Sequence, residues 1–384
     1  MESPFAERVE QLQQSDIRRF SAWCASIGGV NLSQGVCDQP APDAVKAAAK
    51  QAIDDGHATY THMRGIVELR QAIARKAKEF NGITADPEQE IAVTVGTAAA
   101  FACTVLSLMN PGDEAIVFSP YYSYHVNLLR LFGNRVRFVD TQPPDWGYAS
   151  GELEAAFNAR TRIILINTPA NPSGKVFSEA ELAEIAGLAK RHGVWIVTDE
   201  IYEYITYGKP HISIGRLPDA AGRTVTISGA SKTYAVTGWR VGYAIAPAPL
   251  CDKIGVVSDH LTICSPAPLQ HGIVAGMELP DDYYRRMAED YLVKRDMLAT
   301  TLREIGFEPY VPQGSYYMLA GFEPGRYRDA THATETILQE VGVATVPGSA
   351  FYRDSKDGEH QLRFCYAKQM ADLEEGCTRL RRLG

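Results

Sequence analysis

The sequence predicts an α/β fold, with a mostly parallel seven-stranded sheet flanked by helices and a smaller α+β domain beside it. Three observations carry that expectation. Strand-like and helix-like segments alternate from about Glu90 to Ala246, the order that builds a parallel sheet through helical crossovers. Several of the strand-like segments are β-branched and wholly apolar, as buried strands are. After Ala246 the pattern changes to a long helix, Glu289–Ile305, among short strands and helices. The expected division is 1–42 as an N-terminal segment belonging to the smaller domain, 43–280 as the large domain and 281–384 as the small one.

The expected strands are Ile91–Val95, Ala115–Phe118, Val136–Val139, Arg162–Ile166, Val194–Thr198, Thr224–Ser228 and Val241–Ala246. The first ends in Gly96-Thr97-Ala98 before a helix, so the N–H groups of Thr97 and Ala98 can point at an anion, helped by the helix dipole. No Gly-x-Gly-x-x-Gly or Gly-Lys-Ser/Thr stands there, which favours a single phosphate over a dinucleotide. Ser119-Pro-Tyr-Tyr-Ser-Tyr124 follows the second strand, and an aromatic there can stack on a planar heterocycle. Position alone does not choose among Tyr121, Tyr122 and Tyr124; the family resemblance given below makes Tyr122 the candidate and Tyr121 and Tyr124 the packing residues, with Tyr121 still open. Asn167–Gly174, after the fourth strand, is a rigid loop of two Pro turns and a Gly. The fifth ends in two carboxylates, Asp199 and Glu200, one expected to face the crevice and the other to pair structurally; a buried carboxylate beside a ring nitrogen would keep it protonated.

The sixth strand breaks into Ser228-Gly-Ala-Ser231 and presents Lys232, with Arg240 following Gly238. Lysine is rarely buried without a reason. Desolvated, or near a second cation, its amine loses its proton and can attack a carbonyl to form a Schiff base. Arg240 can supply that cation and grip a phosphate through its planar fork. Outside the sheet, Val30–Pro42 reads as a loop in which Gly35 lets backbone approach a ligand. Tyr60 precedes a helix, Ile66–Phe80. In Gln361–Ala367 the residues Leu362, Phe364 and Tyr366 share one face, with Arg363 and Cys365 on the other.

Composition narrows the function classes. The 384 residues are 45% hydrophobic and 22% charged, with net charge −8, which argues against a nucleic-acid binder. No run approaches the ~18 apolar residues of a membrane span, and the polar stretch Met1–Ser15 is no signal peptide. The seven cysteines show neither metal-type spacing nor a dense disulfide pattern, so a reducing cytoplasm is expected and no metal is assigned.

Gly229-Ala-Ser-Lys-x-x-Ala-Val-x-Gly-x-Arg-Val-Gly242 resembles the pyridoxal-phosphate attachment signature of class I/II aminotransferases. Leu32–Ala367 resembles that family throughout, with its motifs in order, close to the branch of aspartate, kynurenine and glutamine transaminases. The resemblance implies a fold-type-I pyridoxal-phosphate transferase with Lys232 bound to the cofactor as a Schiff base and Asp199 on the ring nitrogen. It also puts Tyr202 and Asn171 on the ring oxygen, Tyr122 on the ring face, Ser231, Arg240, Thr97 and Ala98 around the phosphate, and Arg363 on the substrate α-carboxylate. Gly35 and Asn171 line the substrate site. Tyr60 would reach the phosphate of a neighbouring subunit, which implies a homodimer. Three positions depart from the pattern: Cys37 stands for proline, Gln39 for phenylalanine, and Gly229 for a phosphate-binding serine, the last a loss on the order of 1 kcal/mol.

The function expected is amino transfer between an L-amino acid and a 2-oxo acid. No second arginine marks an acidic side-chain pocket, so a neutral, sulfur-containing or aromatic donor is expected. A β-lyase or other eliminase or cyclase on the same fold is the alternative, kept open by Cys37 and Gln39. A non-catalytic sensor is the different-class alternative; its DNA-binding domain would need about 50 residues, and the α/β motifs begin by residue 32.

Overall fold

The computed structural model describes residues 5–10 and 16–384, so the polar stretch Met1–Ser15 lies largely outside the described residues. A seven-stranded sheet forms the centre: β1 (Ile91–Val95), β2 (Glu114–Ser119), β3 (Arg135–Asp140), β4 (Thr161–Asn167), β5 (Trp195–Asp199), β6 (Thr224–Gly229) and β7 (Val241–Ile245). The order is β1-β7-β6-β5-β4-β2-β3. Only β7 runs antiparallel to its neighbours; β6, β5, β4, β2 and β3 pair in parallel.

The apolar strands are continuous because both faces are covered. In β4, Ile163 and Leu165 join the core that includes Phe101 and Leu129, whereas Ile164 and Ile166 join the core of Leu182 and Ile185. β2 divides the same way, Ala115 and Val117 against Ile116 and Phe118. Helix Glu179–His192 covers the second face; Ser178 and Glu181 close its N-terminus with a reciprocal capping box, and Gly193 ends it at φ +66°. That arrangement satisfies orphan N–H groups and supplies the left-handed cap.

A second sheet contains β8 (Phe307–Tyr310), β9 (Tyr317–Phe322), β10 (Val346–Pro347) and β11 (Gln361–Cys365), in the antiparallel order β10-β11-β9-β8. Val30–Asn31 pairs in parallel with Val343–Ala344, which brings the N-terminal segment to this second core. The long helix spans Asp281–Glu304 rather than Glu289–Ile305. Its start follows Pro280, with Asp281 and Asp282 in the first turn against the helix dipole. The helix expected at Ile66–Phe80 is Val67–Lys76, continued by a wider π-turn, Ala77–Asn81.

That turn sets Asn81 and Lys76 into a buried polar cluster behind the sheet ends. Lys76 Nζ lies 2.5 Å from Glu203 Oε2 and 2.9 Å from Asn81 Oδ1; Ser228 Oγ donates to Glu203. Glu200 accepts from Ser213 at 2.8 Å and lies 2.8 Å from His211 Nε2, the structural pairing expected of it. Lys76→Met leaves the Glu203 carboxylate buried without its cation, a loss of about 3–5 kcal/mol. Urea unfolding checks this, and Lys76→Met combined with Glu203→Gln should recover part of the loss.

Candidate active site

The carboxyl ends of β4 and β5 carry Asn167 and Asp199 side by side in register, with Ile227 of β6 beside Asp199 and Gly229 two residues beyond it, and the crevice beyond these ends is where open α/β sheets bind ligands. A cavity of about 440 Å³ opens there. Eleven of the twelve predicted site residues line it: Gly35, Thr97, Ala98, Tyr122, Asn171, Asp199, Tyr202, Ser231, Lys232, Arg240 and Arg363. Tyr60 is not among them; it is 79% exposed.

Lys232 lies in the single turn Ala230–Thr233 that follows β6. Its Nζ donates to the Gly35 carbonyl at 3.1 Å, and burial holds its pKa below the usual lysine value, with Arg240 acting in the same direction. A Cβ on Gly35 would lie 1.7 Å from the Tyr317 hydroxyl, so only glycine lets this backbone come so close. Because the unfolded chain binds the lysine proton more tightly than the folded one, stability rises with pH between the lowered pKa and 10.5. For the ligand-free chain, the stability advantage of Lys232→Met over the parent should be full below the lowered pKa and vanish above 10.5. Urea midpoints across alkaline pH test this.

Arg240 sits in the left-handed region at φ +58°, a costly conformation outside glycine. Its guanidinium is held by the carbonyls of Thr237 (3.1 Å) and Val95 (3.4 Å) and lies against Gly96, where a Cβ would come within 2.3 Å of Nη2. The helix Gly96–Leu108 begins at this point, so free amides and a guanidinium share one small volume. That combination suits a phosphate.

The departure at Gly229 has a packing cause. A Cβ there would lie 2.9 Å from Gly242 Cα and 3.0 Å from the Val241 carbonyl, so strand backbone occupies the place a serine would need. Gly229→Ser should therefore destabilise the protein by about 1–3 kcal/mol without tightening anion binding. Thermal unfolding with and without phosphate checks both parts.

Asp199 is 4% exposed. Its Oδ2 lies 3.0 Å from His125 Nε2, and its Oδ1 accepts from the Ile201 N–H at 3.2 Å. His125 escaped the sequence reading because a lone histidine in a helix carries no distinguishing pattern. Tyr122 meets the His125 ring edge-on at 5.1 Å. Tyr121 is the packing residue, donating to the Tyr352 carbonyl. Tyr124 differs from expectation: it is 38% exposed, lines the cavity and stacks on Tyr122 at 5.2 Å, because the helix Ser123–Leu131 turns it towards solvent.

Tyr202 is buried, which raises its pKa well above 10, so its hydroxyl stays protonated and can donate; it lies 3.4 Å from the Tyr317 hydroxyl. Tyr317 fell in a stretch left unassigned by sequence. Arg363, on β11, is 1% exposed, because the face that alternation gives it is covered by Ser33, Asn171, Tyr317 and Phe351. Nη1 donates to Asn171 Oδ1 at 3.0 Å and Nη2 to the Ser33 carbonyl at 2.6 Å. The guanidinium stacks 4.3 Å from the Tyr317 ring centre, and its Nε is buried with no hydrogen-bond partner. An unpaired buried donor on a cation calls for an anion. The substituted loop is held by new contacts: Cys37 Sγ lies 3.8 Å from the Lys232 carbonyl and from the Tyr316 hydroxyl, and Gln39 donates to Asp290.

Taken together, the cavity offers a phosphate cradle, an amine with depressed pKa, a carboxylate suited to a ring nitrogen and a second buried arginine. These groups fit pyridoxal phosphate with an amino acid beside it. Among known proteins, the profile of aminotransferase class I and II matches residues 27–380. A probable N-succinyldiaminopimelate aminotransferase of Mycobacterium tuberculosis is 34% identical over 373 residues, 94% of each chain. The Escherichia coli methionine aminotransferase is 32% identical over 378 residues, 98% of this chain and 97% of the other. The solved N-succinyldiaminopimelate aminotransferase from Mycobacterium tuberculosis superposes with a TM-score of 0.96 at 33% identity, covering 99% of this chain and all (100%) of the other. The chain therefore belongs to the class I and II aminotransferases and is a pyridoxal-phosphate-dependent transaminase of fold type I.

Proposed function

We propose that this transaminase takes a neutral, sulfur-containing or aromatic L-amino acid as donor, with Arg363 on its α-carboxylate and Lys232 as the base that moves its α-proton. The observation that carries the reading is the buried Arg363, whose Nη1 is held by Asn171 while its Nε has no partner, a cationic donor left for a carboxylate. Relatives named for methionine, for aromatic amino acids and for kynurenine support the donor class.

Bound in the cavity, pyridoxal phosphate supplies an electron sink that eases removal of the α-proton. The chain's own groups do the rest. Arg240, Ser231 and the amides of Thr97 and Ala98 hold the phosphate. Asp199, fixed by His125 and the Ile201 N–H, keeps a proton on the ring nitrogen. Tyr122 covers the ring face. Asn171 has its Oδ1 engaged by Arg363, which leaves Nδ2 to donate to the ring oxygen together with the Tyr202 hydroxyl. Lys232 Nζ, whose pKa burial lowers, would accept the α-proton and return it at the cofactor's aldehyde carbon.

The domain division at 42 and 280 belongs to this reading too, as does a homodimer in which Tyr60 completes the neighbouring phosphate site. The exposure of Tyr60 supports the dimer, and a sedimentation mass of one chain would exclude it. Seven free cysteines support a reducing, cytoplasmic setting. The donor class is tested by following the cofactor's absorbance while single amino acids are added without any oxo acid. Conversion by methionine or aromatic amino acids, with one oxo acid released per site, is expected. Continuous release of ammonia would mean elimination instead.

A further inference from the structure

Tyr202 is assigned to the cofactor's ring oxygen and Arg363 to the substrate α-carboxylate, and one further side chain touches both. Tyr317 opens β9 opposite Cys365 of β11. Cys365 and Arg363 share a face of β11, so Arg363 is the diagonal cross-strand neighbour of Tyr317, within reach of long side chains. The guanidinium accordingly lies 4.3 Å from the centre of the Tyr317 ring. At the far end of that ring the hydroxyl meets the Tyr202 hydroxyl at 3.4 Å. Packing fixes it there. Tyr317 is 3% exposed, its ring meets Tyr202 edge-on at 5.9 Å and Tyr316 at 4.9 Å, and its oxygen rests where a side chain on Gly35 would begin.

We propose that Tyr317 is a positioning residue: its hydroxyl donates to the oxygen of Tyr202 while Tyr202 donates to the ring oxygen, and its ring holds Arg363 in place for the α-carboxylate. The proposal rests on the reading of Tyr202 and Arg363 given above. A hydroxyl has one proton to give and two lone pairs with which to accept. In the structure Tyr202 gives its proton to Tyr317, and this is the one hydrogen bond of the Tyr317 hydroxyl among the described residues. The proton of Tyr317 is therefore uncommitted. Once the ring oxygen takes the proton of Tyr202, the buried Tyr202 oxygen has lone pairs free, and Tyr317 can fill one. Burial pushes the Tyr317 hydroxyl up to about 12 while the Arg363 charge pulls it down, so it remains a protonated donor at neutral pH. Hydrogen bonds in a chain polarise one another, and a proton donated into Tyr202 makes Tyr202 the stronger donor to the ring oxygen. The other titratable groups facing the two hydroxyls are Tyr122, Asp199, Arg363, Cys365 and Cys37.

The test follows the absorbance of the cofactor-loaded protein against pH, without substrate. Donation to the ring oxygen stabilises its negative charge, so the neighbouring Schiff-base nitrogen gives up its proton at lower pH. Tyr202→Phe should therefore raise the titration midpoint by about one pH unit, the worth of one hydrogen bond. Tyr317→Phe should raise it by about 0.3 pH unit, the share by which one hydrogen bond in a chain strengthens the next. In the Tyr202→Phe background the same change should add nothing, because it acts through Tyr202. The donor's KM should stay within about twofold in Tyr317→Phe, which keeps the ring on Arg363, and rise about tenfold in Tyr317→Leu, which loses it. An unmoved midpoint in Tyr317→Phe, or the same shift with and without the Tyr202 hydroxyl, overturns the relay. An unchanged KM in Tyr317→Leu overturns the part given to the ring. An unmoved midpoint in Tyr202→Phe overturns the placing of Tyr202 on the ring oxygen, and the relay with it.

Discussion

Replacing Lys232 with alanine should lower turnover at least about 10,000-fold while leaving the fold intact. The amine is both the point of covalent attachment and the base, and general acid–base action alone contributes up to about four orders of magnitude. The fold should survive because the side chain makes one hydrogen bond, to the Gly35 carbonyl. Circular dichroism and thermal unfolding check the second part. Single-turnover kinetics with and without a small primary amine check the first. An added amine should restore part of the rate, because the cavity that held the lysine stem remains. Restoration by a tertiary amine of similar pKa alone would mean that base strength, not attachment, limits the step.

Replacing Asp199 with alanine should cost about 100- to 1,000-fold in kcat with a smaller change in KM, the scale of losing one preorganised electrostatic partner in a dry site. The carboxylate is buried and held from two directions, by His125 and by the Ile201 N–H. It does not touch Arg363, the residue assigned to the substrate carboxylate, so substrate binding should be nearly spared. Washout of α-deuterium from a bound donor should slow by the same factor as kcat. A large rise in KM with kcat preserved would show that Asp199 serves binding instead.

The sheet was legible because its strands are buried on both faces, so β4 and β2 read as unbroken apolar runs whose alternate residues feed two cores. The ends of the same strands were legible because Gly96, Asp199 and Lys232 are costly or conspicuous unless something uses them. Less was visible where a residue's meaning depends on a second layer. Alternation gave Arg363 a face, but not Ser33 and Asn171, which come from far along the chain to cover it. Tyr124 and Tyr121 have the same side chain, and only the turn of the following helix decides which one meets solvent. His125 acts through Asp199, distant in the chain, and no local spacing announces it. The long helix began eight residues early because Pro280 and two aspartates outweigh the polar stretch that follows them.

The most direct test of the account is to reduce the cofactor-loaded protein with borohydride, digest it and locate the pyridoxyl label by mass spectrometry. The account predicts one label per chain, on Lys232, and no label when an amino-acid donor has first converted the cofactor to its amine form. A label on another lysine, or none on the untreated loaded protein, would contradict it.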